Sequence, residues 1–195
     1  MTQLVFAHST FWPLAIGFFG LATGYFVWGG QALFGFPKAT PEVDKSVALW
    51  GLLNGFMQFI TGILLIVGLT WFGVFNNAAP LYMAALAFTA YGVHWFVLGA
   101  RRFIGASEEP EAWMAIAFVL LSLLGTIVFF SAGDVPAGIL FIGLTLVYAT
   151  EIVTRFDIIS ASRWVGLWQF LTGIWLMYLT FGVTLNASLG AHWWV

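Results

Sequence analysis

Residues 112–154 read AWMAIAFVLLSLLGTIVFFSAGDVPAGILFIGLTLVYATEIVT. Two apolar runs, 112–132 and 135–154, are parted only by Gly133 and Asp134, with Pro136 opening the second run. Each run has about the ~20 residues a helix needs to cross a bilayer, and Gly, Asp and Pro supply turn chemistry. So short a connection predicts an antiparallel helical hairpin inside a membrane. The pattern repeats on both sides. Further spans are expected over 10–34, 46–69, 78–100 and 162–183. The breaks between them carry Pro37, Pro41 and Asp44, then Asn76, Asn77 and Pro80, then Pro110.

Composition points the same way. The chain has 195 residues, 62% hydrophobic and 7% charged, where soluble domains run at roughly 45–50% and about 25%. So few charged residues cannot wet the surface of such a chain, whereas lipid accepts an apolar exterior. The expected fold class is therefore an all-α integral membrane protein, a single six-helix transmembrane domain over 1–195, with the lipid bilayer as its first partner. The N-terminus, MTQLVFAHST, lacks the basic residues that open a signal peptide, so the first apolar run is expected to remain as a span. A net charge of −2 argues against a nucleic-acid partner. There is no cysteine, hence no disulfide, thiolate nucleophile or iron–sulfur ligand.

The six cations sort by loop. Lys38 and Lys45 fall between spans 1 and 2, Arg101 and Arg102 between 3 and 4, and Arg155 and Arg163 between 5 and 6. The positive-inside rule makes these loops cytoplasmic and puts both termini outside, as an even number of spans requires. There is also an internal echo: QFITGILL at 58–65 recurs as QFLTGIWL at 169–176. Helix 4 carries a weaker counterpart, with Trp113 and Gly125 spaced as Trp50 and Gly62 are. Tyr25 and Trp28 of helix 1 find a parallel in Tyr91 and Trp95 of helix 3. The period is best read as a two-helix hairpin used three times around a central pore, with odd helices lining the path.

Polar groups within the spans are few: Asn54, Gln58, Thr61, Thr89, His94, Thr145, Thr150, Glu151, Gln169 and Thr172. Glu151 stands four residues before Arg155, so an end-of-helix ion pair is the favoured reading, with a proton relay as the alternative. His94 is the sole histidine inside a span. It reads first as a packing residue and second as a proton-linked or pH-gating group. Gln58 and Gln169 hold equivalent places in the echo, either as glue between helices or as lining of a polar stretch of pore. There is no HxxH, no second intramembrane histidine and no paired acid and base. Hence no metal, cofactor or catalytic residue is expected, and no enzyme. Trp12, Trp71, Trp113, Trp164, Trp193 and Trp194 sit near expected span ends, as an aromatic belt would place them.

Phe88-Thr89-Ala90-Tyr91-Gly92-Val93-His94-Trp95 resembles the FTSYGSFW run of the acetate/succinate permeases, the SatP (YaaH) family, whose fold is shared with the UreI/AmiS urea and amide channels. Residues 55–62, GFMQFITG, resemble that family's GGIAQIFAG, and the segment from Trp164-Val165-Gly166-Leu167 to Leu185-Asn186 is similar to its closing WIGL to LN. The resemblance implies a bacterial inner-membrane transporter or channel, a hexamer with one pore per protomer, and a hydrophobic constriction mapped onto Phe19, Tyr91 and Leu144. Thr10, Gln58, Thr89 and Gln169 would supply the pore's polar groups. The opening NPAPLGL survives only in Pro13 and Leu14, with Thr10 in place of Asn. The basic loops at 1–2, 3–4 and 5–6, the Asp44-Lys45-Ser46 run, the Gly133-Asp134 turn and the final His192-Trp193-Trp194-Val195 are similar to the urea and amide channels instead. The expected cargo is a small weak acid such as acetate or succinate, moved with a proton or as the neutral acid. The alternatives are a urea or short-amide channel and a non-transporting scaffold or accessory subunit.

Overall fold

The computed structural model describes residues 13–73 and 78–195. Among them the chain forms six α-helices and no strand: α1 Leu14–Phe34, α2 Pro41–Val67, α3 Leu81–Ile104, α4 Pro110–Ser131, α5 Val135–Arg155 and α6 Ser162–Leu189. A π-helical turn, Gly68–Phe72, extends α2. The shortest helices have 21 residues, about 32 Å at 1.5 Å per residue, enough for the ~30 Å hydrocarbon layer. Five of the six, α2 to α6, are long and apolar enough to cross a membrane. The first is tempered by its glycines, Tyr25, Trp28 and Gln31.

Local chemistry sets the helix ends. Helix α2 begins ahead of the apolar run that opens at 46, because Thr40 accepts the Val43 amide (3.3 Å) and Pro41 takes the first helical position. The quoted hairpin closes as expected. Asp134 caps α5 by accepting the Ala137 amide at 3.0 Å, and Gly133 adopts φ 77°, which a side chain would resist.

The helices form a closed ring in chain order, each packed on its sequence neighbours and α6 packed on α1. The most extensive contacts join each even helix to the odd helix that follows it: α2 to α3, α4 to α5 and α6 to α1. Glycines make this possible. A Cβ at Gly55 would lie 2.8 Å from the carbonyl oxygen of Gly92, and one at Gly166 would lie 2.9 Å from that of Gly29. Gly55 and Gly166 each sit three residues before the echoed glutamines, so the sequence echo marks a repeated close approach of backbones. Helix α4 carries Phe118 at the corresponding place.

Inside the ring, side chains of the odd helices meet directly. Phe18 packs on Phe88 (5.5 Å between ring centroids), Tyr25 on Trp95 (6.0 Å) and Tyr91 on Tyr148 (5.8 Å). The outside is apolar. Leu49, Leu53, Phe56, Ile60 and Ile63 form an exposed stripe on α2, and Leu120, Leu123, Leu124 and Ile127 do so on α4. Such continuous apolar exposure belongs against lipid or another protein surface. Trp71, Trp113, Trp164, Trp193 and Trp194 are all exposed at or near helix ends.

Candidate functional site

The start of each odd helix faces the same end of the bundle as the C-terminus, and two cavities open at opposite ends of the ring. At the termini end a cavity of about 350 Å³ is enclosed by the first halves of α1, α3 and α5 and the last turns of α4 and α6. Its walls include Phe18, Leu21, Ala84, Phe88, Tyr91, Phe141 and Leu144. At the end of the basic loops a cavity of about 430 Å³ is lined by Trp28, Gln31, Asp44, Arg101, Arg102, Glu108, Glu151, Arg155 and Gln169.

Helical geometry connects the two. Residues three or four apart share a helix face. Leu21, Tyr25 and Trp28 therefore descend one face of α1, and Leu144, Tyr148 and Glu151 descend one face of α5. On α3, Tyr91 and Trp95 do the same. Leu21, Tyr91 and Leu144 belong to the first cavity, while Trp28 and Glu151 belong to the second. Tyr25, Trp95 and Tyr148 lie between and are at most 3% exposed. This aromatic layer is bolstered by Phe118, which stacks on Tyr148 (5.3 Å), and by a hydrogen bond between the Tyr91 hydroxyl and Ser122 Oγ (2.9 Å). Within the layer the Trp95 indole Nε1 has no hydrogen-bond partner among the described residues.

The basic-loop end is clasped by ion pairs. Glu111, reaching from the first turn of α4, meets Arg101 of α3 at 2.5 Å and Arg155 of α5 at 2.6 Å. Glu108 adds a second contact to Arg155 at 3.2 Å. Arg102 bonds Asp44 of α2 (2.6 Å) and Gln31 of α1 (2.5 Å), and its guanidinium lies 4.8 Å from the centre of the Trp28 ring. Trp28 in turn donates to the Val47 carbonyl. Together these contacts tie five helices into one end plate.

The structure sorts the sequence candidates. Tyr91 and Leu144 share the wall of the first cavity. Phe19 does not join them: it is 45% exposed on the outside of α1, and Phe18 points inward in its place. One step along a helix turns a side chain by ~100°, enough to carry Phe19 out of the interior that Phe18 faces. Gln169 lines the charged cavity, whereas Gln58 is wholly buried, donates to Asn54 Oδ1 at 2.6 Å and lines neither cavity. Asn54 itself presses on Gly24 of α1, so this pair sits in helix packing. Thr89 gives its hydroxyl to the Ala85 carbonyl and abuts Gly62 of α2. His94 is buried among Phe118 (4.5 Å), Tyr148 and Trp95. Thr10 lies outside the described residues.

The ion pair expected between Glu151 and Arg155 is absent, because Arg155 is turned to Glu108 and Glu111. Glu151 is 6% exposed, borders the charged cavity, and has no ion-pair or hydrogen-bonding partner among the described residues. Sequence reading missed Glu111, Glu108, Tyr148, Ser122 and Phe18. The acids had a signal in principle, since Glu108 and Glu111 stand beside the basic loop they neutralise.

Fold and cavities together define a multi-pass α-helical membrane protein with two cavities at opposite ends, separated by an aromatic layer. The particular likeness is to the solved structure of the bacterial acetate channel SatP. That structure matches with a TM-score of 0.68 and 19% identity over 92% of this chain and 94% of the other. No family model and no curated relative matches the sequence. At that identity the likeness establishes the fold.

Proposed function

We propose that the protein is a channel or transporter that passes a small weak acid, such as acetate, in its uncharged form, from one cavity to the other past the Tyr25, Trp95 and Tyr148 layer. The observation that carries this reading is the pair of cavities at opposite ends of one inner face, built on a fold like that of an acetate channel. Tyr91 and Leu144, with Phe18 and Leu21 in place of Phe19, would form the floor of the first vestibule. The free Trp95 N–H would donate to a solute oxygen in transit. No lysine or arginine lines the first cavity among the described residues. A bare carboxylate there would lose hydration worth several kcal/mol without compensation, so protonation accompanies passage. By the positive-inside rule the charged cavity faces the cytoplasm. The resemblance set out above further points to a hexamer in the inner membrane.

The same lack of a cation favours a second reading, a urea or short-amide channel, whose solutes are neutral throughout. Liposomes containing the full chain separate the two. Labelled acetate uptake that saturates and rises as pH falls is expected, and faster acetamide uptake with no pH dependence would sink the weak-acid reading. A scaffold with no transport role predicts that Tyr91→Ala leaves flux unchanged, whereas a channel predicts a change.

A further inference from the structure

We infer that the cavity at the basic-loop end holds a binding site for a small organic cation bearing N–H donors, an alkylammonium or alkylguanidinium ion, seated between Glu151 of α5 and Gln169 of α6. The first ground is a count of charges. Asp44 pairs with Arg102, while Glu108 and Glu111 together pair with Arg101 and Arg155. Every guanidinium lining this cavity is thus answered, and Glu151 is the carboxylate left over. Lys38, Lys45 and Arg163, the remaining cations of the chain, are exposed and do not line the cavity. Despite three arginines on its wall, the cavity therefore carries an uncompensated negative charge, one turn beyond Tyr148 of the aromatic layer.

The second ground is a pair of buried groups with open bonding positions. Glu151 is 6% exposed and Gln169 is 7% exposed, both line this cavity, and neither has a hydrogen-bond or ion-pair partner among the described residues. Gln31, on the same wall, differs: it accepts from Arg102 and donates to the Pro37 carbonyl. A carboxylate and an amide withdrawn from water are costly while unbonded. Glu151 offers acceptors alone, and the Gln169 amide adds a further acceptor oxygen. A charged N–H donor completes both. Size and composition give the third ground. A calcium ion takes six or more oxygen ligands, and no cluster of three acidic or histidine side chains suited to a metal exists among the described residues. A water takes about 30 Å³ in the liquid, so about 430 Å³ has room for about fourteen, far more than one bare ion fills. A cation with a short alkyl group also rests against Trp28, Ala32 and Ala106 of the same wall. The site needs the cavity alone, so it stands whether or not a solute passes the aromatic layer.

The full chain in phosphatidylcholine nanodiscs is dialysed at about pH 8 against labelled methylguanidinium, with empty nanodiscs as the blank. Saturable binding is expected, with butylammonium competing and sodium at equal concentration failing to. Methylurea has a similar planar shape without the charge, and is expected to compete about tenfold more weakly or worse. Glu151→Gln keeps the side chain's size and removes its charge, so Kd is expected to rise about tenfold or more. Gln169→Leu is expected to raise it about threefold. Asp157→Asn removes an exposed carboxylate that does not line the cavity, and should leave Kd within about twofold. The absence of saturable binding overturns the site. Methylurea competing as well as methylguanidinium overturns the cationic ligand, and sodium displacing the label as well as butylammonium overturns the organic one. Affinity unchanged in Glu151→Gln, or lowered as much in Asp157→Asn, overturns the placement at Glu151. If Glu151→Gln does not fold, Gln169→Leu decides, and an unchanged Kd there overturns the site.

Discussion

The two ends of the bundle are built from the same helices yet present opposite surroundings. At the termini end, α1, α3 and α5 enclose an apolar cavity in which Asp134 is the one charged side chain among the described residues. Little more than two turns further along, the same helices border a cavity of similar size crowded with arginine, aspartate and glutamate. The charge at that second end is largely committed: Arg101, Arg102 and Arg155 each answer to a carboxylate within 2.6 Å. Those cations therefore act first to join helices. The contrast teaches that apolar space and charged cohesion are divided between the ends, with the aromatic layer of Tyr25, Trp95 and Tyr148 lying between them.

The largest effect is expected where cohesion is concentrated. Glu111→Ala removes the buried carboxylate that Arg101 and Arg155 share and leaves the two partly buried guanidinium groups only the exposed Glu108. A loss of about 3–5 kcal/mol is expected, typical of breaking one side of a buried pair, read by thermal unfolding in detergent. A loss below about 1 kcal/mol would place the cluster with ordinary surface pairs and blur the contrast. Next comes the layer between the ends. Tyr148→Ala opens it, and flux of the smallest solutes is expected to rise about tenfold, equivalent to about 1.4 kcal/mol off the barrier. Unchanged flux in liposomes would mean that solutes do not pass there.

Smaller effects sharpen the outer side of the comparison. Phe18→Leu, within the apolar cavity, is expected to cost about 1 kcal/mol and to alter solute uptake. Phe19→Leu, on the outside of the helix, is expected to stay within about 0.5 kcal/mol and to leave uptake alone. Reversed results would restore Phe19 to the path. The smallest shift is expected for Glu151→Gln. No arginine holds this carboxylate, so stability should move by less than about 0.5 kcal/mol, in contrast to Glu111 in the same end of the molecule. A Glu151→Gln loss approaching that of Glu111→Ala would show that Glu151 belongs to the clasp after all.

Much of this was legible residue by residue. The quoted hairpin reads correctly because a turn of Gly133 and Asp134 leaves its helices no other course. The echo at Gln58 and Gln169 marks a repeated backbone approach through Gly55 and Gly166, but it does not give the two glutamines one role. Gln58 turns into helix packing and Gln169 borders a cavity, because neighbouring helices differ around each. Glu151 and Arg155 had the spacing of an ion pair, yet spacing along one helix competes with partners from other helices. Glu111, brought in by the α3–α4 connection, takes that arginine.

By itself, then, the sequence determined the solvent, the all-helical class, the turns between helices, and the gathering of all six cations at one end, since these follow from hydropathy, turn residues and charge summed along the chain. The tertiary structure decided which of two adjacent phenylalanines faces inward, which acid holds which arginine, and which side chains separate the two cavities. Those outcomes depend on rotations of ~100° per residue and on contacts between distant segments, which a pattern read along one strand of residues does not contain.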